Sequence, residues 1–248
     1  MDLTKANKLK IQSNRREIFE LETQINSNKA QVYATRAVIE QNYTSIMRNY
    51  SSTFLGNHNL TTQNTDNLFR NRVAILTNME VEGEVEINFR ESMTNEANLD
   101  FLEMQATVNE LVLEINNRMS EINSLMIETN KMIMNANQAS VDFNSKNLAI
   151  NKRFLNGEFH PSKATSIANK QRADKNQKRC GTIRDIANKN AKKLKSLDKK
   201  AKKNSMQVLL NAADISKRRG LISDNQKGIM ENQEEVARMI SSKIKRKG

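Results

Sequence analysis

The chain has 248 residues, a net charge of +12 and a mean hydropathy of −0.72. It has no Trp, one Pro, seven Gly and only 4% aromatic residues. Large aromatics carry much of an ordinary core and Gly and Pro punctuate compact folds, so this composition excludes an ordinary compact globule and favours long helices.

The first predicted element is an N-terminal coiled-coil helix over 1–55. Ile11, Ile18, Ile25, Val32, Ile39 and Ile46 recur every seven residues. Three residues after each comes a second series, Asn14, Leu21, Asn28, Thr35, Asn42 and Asn49. Alternating steps of three and four define a coiled-coil seam, with apolar residues at position a and Asn mostly at d. Phe54-Leu55-Gly56-Asn57-His58 then reads as a helix end, since Gly follows an apolar residue, and 56–61 is predicted as a loop.

A central long helix is predicted over 62–155. Asn64, Asn71 and Asn78 keep the sevenfold spacing, but the next Asn in the series, Asn88, lies ten residues on. Three extra residues make a stammer, which points to a bend near Gly83. Asn109, Asn116, Asn123, Asn130, Asn137, Asn144 and Asn151 then run without a miss. Their a partners include Leu113, Ile127, Met134, Val141 and Leu148. A second apolar face runs through Phe101, Val108, Ile115 and Ile122, and through Val112, Met119, Met126 and Ile133. A helix apolar on two faces is covered on two sides, so this one is expected either to sit centrally in a bundle or to grip a second partner.

Residues 156–162 form the second predicted loop, because Pro161 cannot continue the preceding helix. A basic C-terminal helix follows over 163–248. Its a series begins with the small Ala173, Cys180 and Ala187 and continues through Val208, Ile215, Ile222, Ile229 and Val236. Its d series includes Asn204, Asn211, Asn225 and Asn232. Across all segments, 24 of the 31 d-series positions are Asn. A compositional bias toward Asn accounts for its abundance but not for its period.

A core Asn costs stability unless its amide finds partners, and it specifies register and oligomer state. Repeated in almost every heptad, such amides are expected to bond between helices in layers. The repeat resembles the Asn-layered trimeric coiled coils of fibrous surface and virion stalks, where β-branched residues at a alternate with Asn at d. The likeness is best over 11–49 and weaker after 160. The fold class expected is all-α, with long helices in an extended coiled coil or helical bundle and no compact globular domain. A trimer, an intramolecular bundle and a hetero-partner all remain open.

Charge is unevenly spread. Residues 1–150 carry net −5, 151–205 net +13 and 206–248 net +4. Lys192, Lys193, Lys195, Lys199, Lys200, Lys202 and Lys203 form a basic surface suited to an acidic protein or to nucleic-acid phosphates; a merely solvated helix face is the plainer alternative. A basic tail, Lys243 to Lys247, would suit an anionic membrane surface.

Recognisable catalytic chemistry is missing. The sequence has no phosphate-binding Gly loop, HExxH or CxxC. Its two histidines, His58 and His160, fall in predicted loops, and Cys180 stands alone. No catalytic residue, cofactor or metal is expected, and no enzyme. No run of about 18 apolar residues marks a transmembrane helix, and Met1-Asp2-Leu3-Thr4-Lys5 lacks the apolar segment of a secretory signal. The function expected is a structural strut, clamp or spacer in a large assembly, foremost a minor or internal protein of a virus particle. Its partners would be itself or other capsid-type structural proteins, and its location a virion or an intracellular assembly. A nucleic-acid-associated packaging protein using 152–203 is the alternative.

Overall fold

The structure is a computed structural model describing residues 2–247, with side chains described for 2–243. The basic tail therefore lies outside the described side chains except for Lys243. The chain is all-α, 94% helical, with no strand among the described residues. Helix α1 spans Leu3–Tyr50, followed without a break by a π-helical segment, Ser51–His58, and by α2, Asn59–Thr77. Helix α3 spans Glu84–Leu155, and α4, Ser166–Lys247, follows a short 3-10 turn at Pro161–Lys163.

The expected loop at 56–61 is not a loop. Tyr50, His58 and Asn59 all keep right-handed helical angles, near φ −60° and ψ −45°. Gly56 ends no helix. A Cβ there would stand 2.9 Å from an Arg219 guanidinium nitrogen, so its missing side chain admits that arginine. Tyr50, Phe54 and His58 stack in succession along the π segment, with ring centroids 5.7 and 5.2 Å apart.

The central helix expected over 62–155 is divided in two. The ten-residue jump from Asn78 to Asn88 marks a turn between α2 and α3, not a bend within one helix. Glu86 caps the new helix, its carboxylate accepting from the Gly83 and Glu82 backbone N–H groups at 2.6 and 3.2 Å. A carboxylate three residues into a helix satisfies donors that the helix itself leaves open. At the other reversal, Gly157 takes φ +73°, a conformation open to glycine at little cost. Thr165 Oγ1 accepts from the Ala168 N–H at 3.1 Å and caps α4.

The helices contribute to two compact units, 1–41 with 123–205 and 42–122 with 206–248. In the first, the Asn7, Asn14 and Asn28 side-chain amides donate to the backbone carbonyls of Ser166, Ala173 and Ala187 at 2.8–2.9 Å. Donor and acceptor advance together with a constant separation of 159 residues, so α1 and α4 run parallel here. Lys10 pairs with Asp174, Arg184 with Glu17 at 3.6 Å, and Gln24 bonds to Asn188 at 2.7 Å. Leu21, Thr35, Cys180, Ala187 and Leu194 are buried along this seam.

The same device recurs in the second unit. Asn49 donates to Val208, Asn57 to Ile215, Asn64 to Ile222 and Asn71 to Ile229, at 2.9–3.2 Å. The separation is 159 at Asn49 and 158 from Asn57 onward. The π segment lies between them and supplies the reason. Eight residues separate Asn49 from Asn57, whereas seven separate Val208 from Ile215. The wider π turn absorbs one extra residue and returns the next asparagine to the seam. Helix α3 packs antiparallel to α2: Phe101 stacks on Phe69 at 4.3 Å, Asp100 pairs with Arg72 at 2.7 Å, and Ile115 lies further back beside Tyr50 and Phe54.

Candidate interaction surfaces

Two parallel helices share one seam, and each spends one series on it. Helices α1 and α2 and the π segment spend the Asn-rich series: Asn7, Asn14, Leu21, Thr35, Asn42, Asn57, Asn64 and Asn71 are buried, and Asn28 and Asn49 half-buried. Helix α4 spends its a series. Ala173, Cys180, Ala187, Leu194, Ala201, Val208 and Ile229 are buried, with Ile215, Ile222 and Val236 half-buried. The other member of each pair faces outward. Ile11, Ile18, Ile25, Val32, Ile39 and Ile46, expected as core, are 40–51% exposed. Asn204, Asn211, Asn225 and Asn232, expected as layers, are exposed.

The hydrogen bonds made by the amides of Asn7, Asn14, Asn28, Asn49, Asn57, Asn64 and Asn71 do not run from one asparagine to another across a layer. They run to backbone carbonyls of the neighbouring helix, which apart from Ser166 belong to the α4 a series. Small side chains at Ala173 and Ala187 leave room for the amides, but the same bond forms at Val208, Ile215, Ile222 and Ile229, so small residues are not required for it. Where α1 carries Leu21 instead, the cleft around it includes the Cys180 thiol.

Helix α3 uses part of its second apolar face within the chain, while Ile115, Ile122, Met126 and Ile133 of that face are exposed. In the second unit Ala97 is buried, and Phe101, Val108, Val112 and Met119 are half-buried. Its heptad face is open in both units. Leu113, Ile127, Met134, Val141 and Leu148 are 54–69% exposed. Asn109, Asn116, Asn123, Asn130, Asn137 and Asn144 are exposed too, so the layers expected there are not formed within the chain.

In the first unit the outward α1 series and α4 line an open groove of about 820 Å³. Its floor holds Ile25, Val32, Ile183, Leu194 and Leu197, and its edges hold Lys29, Arg36 and Lys193. All seven lysines of the predicted basic surface, Lys192, Lys193, Lys195, Lys199, Lys200, Lys202 and Lys203, are exposed. Lys202 pairs with Asp198 at 2.8 Å. At the seam, a hydrogen bond from the Lys10 ammonium holds the Asp174 carboxyl below its ordinary pKa, against a smaller opposing effect of desolvation.

His58 is half-buried on the Phe54 ring, and His160 meets Ser162 at 2.8 Å beside the 3-10 turn. Cys180 is a free buried thiol. Among the described residues no group of three or more His, Cys, Asp or Glu is placed to hold a metal ion. Among the described residues no helix is long and apolar enough to cross a membrane. No protein-family model matches the chain, and no curated protein or solved structure matches it.

Proposed function

We propose that the chain is a structural, non-enzymatic component of a large assembly, a strut, clamp or spacer whose helices complete a coiled coil or bundle with other subunits. The observation carrying this reading is that two heptad faces lie uncovered, the Ile series of α1 and the Leu/Asn face of α3. Contiguous exposed apolar stripes of this length mark protein contacts. The narrower version is a minor or internal structural protein of a virus particle, for which the stalk-like Asn repeat is the support. Chemical cross-linking of the native source followed by mass spectrometry tests it. Cross-links from α1 and α3 to structural subunits of one large particle are expected. Recovery of the chain as a free monomer would refute the reading.

The second reading, a nucleic-acid packaging protein, draws on the seven exposed lysines of α4. It requires affinity that falls steeply with salt, because each phosphate contact releases counterions, and that shows no base preference. Binding by the full chain no tighter than by an unrelated chain of equal charge would remove it.

A further inference from the structure

The geometry points to a second copy of this chain as the occupant of the α1/α4 groove, with the acidic half of its α3 lying in the groove. This rests on the structural reading above and names its partner. Within the chain, an Asn-rich d face lies on the a series of a parallel neighbour and donates to its carbonyls. The α1/α4 pair satisfies this rule on one side only. It leaves the α1 a series open, beside exposed d asparagines of α4 such as Asn176, Asn190 and Asn204. A third parallel helix with apolar a and Asn d residues closes the ring. Its Asn amides reach the carbonyls of the α1 a series, and its a series receives the α4 asparagines.

Helix α3 carries that repeat, with Leu99 and Leu113 at a and Asn109 and Asn116 at d, all exposed. Part of its other apolar face is already engaged within its own second unit, so the two contacts do not compete for the same side chains. Direction and charge choose the source. Residues 84–122 are tied to α2 within their own second unit through Phe101 and Asp100, so the α3 that enters the groove is taken from another molecule. Residues 84–122 hold nine acidic and two basic residues, net −7. Residues 166–205 of α4 hold three acidic and fourteen basic, net +11. Laid parallel, these two stretches meet, and the charges steer the association and disfavour pairing of one α3 with another. Because every chain carries both groove and ligand, the contact closes as a dimer or extends as an array.

The experiment uses the full chain with Cys180→Ala, an exchange for the residue already present at 173, 187 and 201 of the same series. Val32→Cys, in the groove, carries a benzophenone maleimide. This chain, ¹⁵N-labelled, is mixed with unlabelled Cys180→Ala chain, irradiated and digested. Mixed-isotope cross-links from position 32 to peptides within 84–122 are expected, and sedimentation of the unmodified protein should give a mass above the monomer. Reversing charge at Glu110, Glu114 and Glu121 should weaken the association about tenfold, from about 0.5 kcal/mol for each exposed pair. Ile18→Cys repeats the test should the Val32 variant lose helicity. Cross-links within one chain, cross-links confined to 123–155, or a monomer of full helicity would each overturn the second-copy contact. Those outcomes leave the structural role standing, since that role fails only on what the native source contains.

Discussion

Asn14 carries the sharpest test of the amide ladder. It is buried, its amide donates to the Ala173 carbonyl at 2.9 Å, and its Oδ1 has no partner. Exchange for Leu removes one hydrogen bond, a loss of about 1 kcal/mol net. The Ala173 carbonyl keeps the donor of its own helix four residues on, so no acceptor is stranded. The exchange also removes an unsatisfied buried oxygen, worth about 1–3 kcal/mol, and buries an aliphatic side chain, worth about 1.5–3 kcal/mol. Leu21 already occupies the same series one heptad later, so the seam accommodates the shape. Asn14→Leu should therefore stabilise the chain by about 1.5–5 kcal/mol in urea unfolding followed by circular dichroism. The register should loosen at the same time. With Asn7, Asn14 and Asn28 all changed to Leu, the amide ladder of the first unit no longer penalises a local slide of one heptad, while the rungs from Asn49 onward still hold the second unit. Spin labels at Arg16→Cys and Lys175→Cys, in the Cys180→Ala background, should give one narrow distance in the parent and several in the triple variant. Destabilisation by Asn14→Leu, or an unchanged narrow distance in the triple variant, would refute the reasoning.

Three further outcomes follow from the same geometry. Deleting Ser52 within the π segment shortens the Asn49–Asn57 step to the seven residues found on α4; the segment should become α-helical with Tm unchanged or raised, whereas deleting Arg16 from the regular part of α1 should lower Tm. Gly220→Ala should stabilise α4 by about 0.5–1 kcal/mol in urea unfolding, since a Cβ there meets nothing within 4 Å and alanine loses less entropy in a helix. The Asp174 carboxyl should titrate below its ordinary value by NMR and return toward it in Lys10→Met. A depressed folded-state pKa contributes stability at neutral pH that is lost as pH falls through the folded value, so the parent should lose more of its stability in acid than the variant.

Helix content and the phase of each stripe were legible in the sequence because both are local. Few turn formers, heptad-spaced aliphatics and Asn every seven residues act through the 3.6-residue turn, whatever the chain packs against. The reversals near Gly157 and Pro161 were legible for the same reason. The step at Asn57 was readable only as an irregularity. A Gly after an apolar residue suits a helix end, and whether the helix stops or widens depends on the opposite strip, where α4 keeps its sevenfold spacing and holds the π segment in line. The jump after Asn78 reads as a stammer within one helix from the sequence, whereas the structure places a turn there, with Glu86 capping the new helix at Gly83. Which member of each a/d pair faces inward was decided by the tertiary structure alone. A repeat is the same whether two helices or three share it. A parallel pair buries one series from each helix, and carbonyls along the α4 a series, from Ala173 to Ile229, take the amides of the facing helix, which puts those asparagines inside and the α1 isoleucines outside.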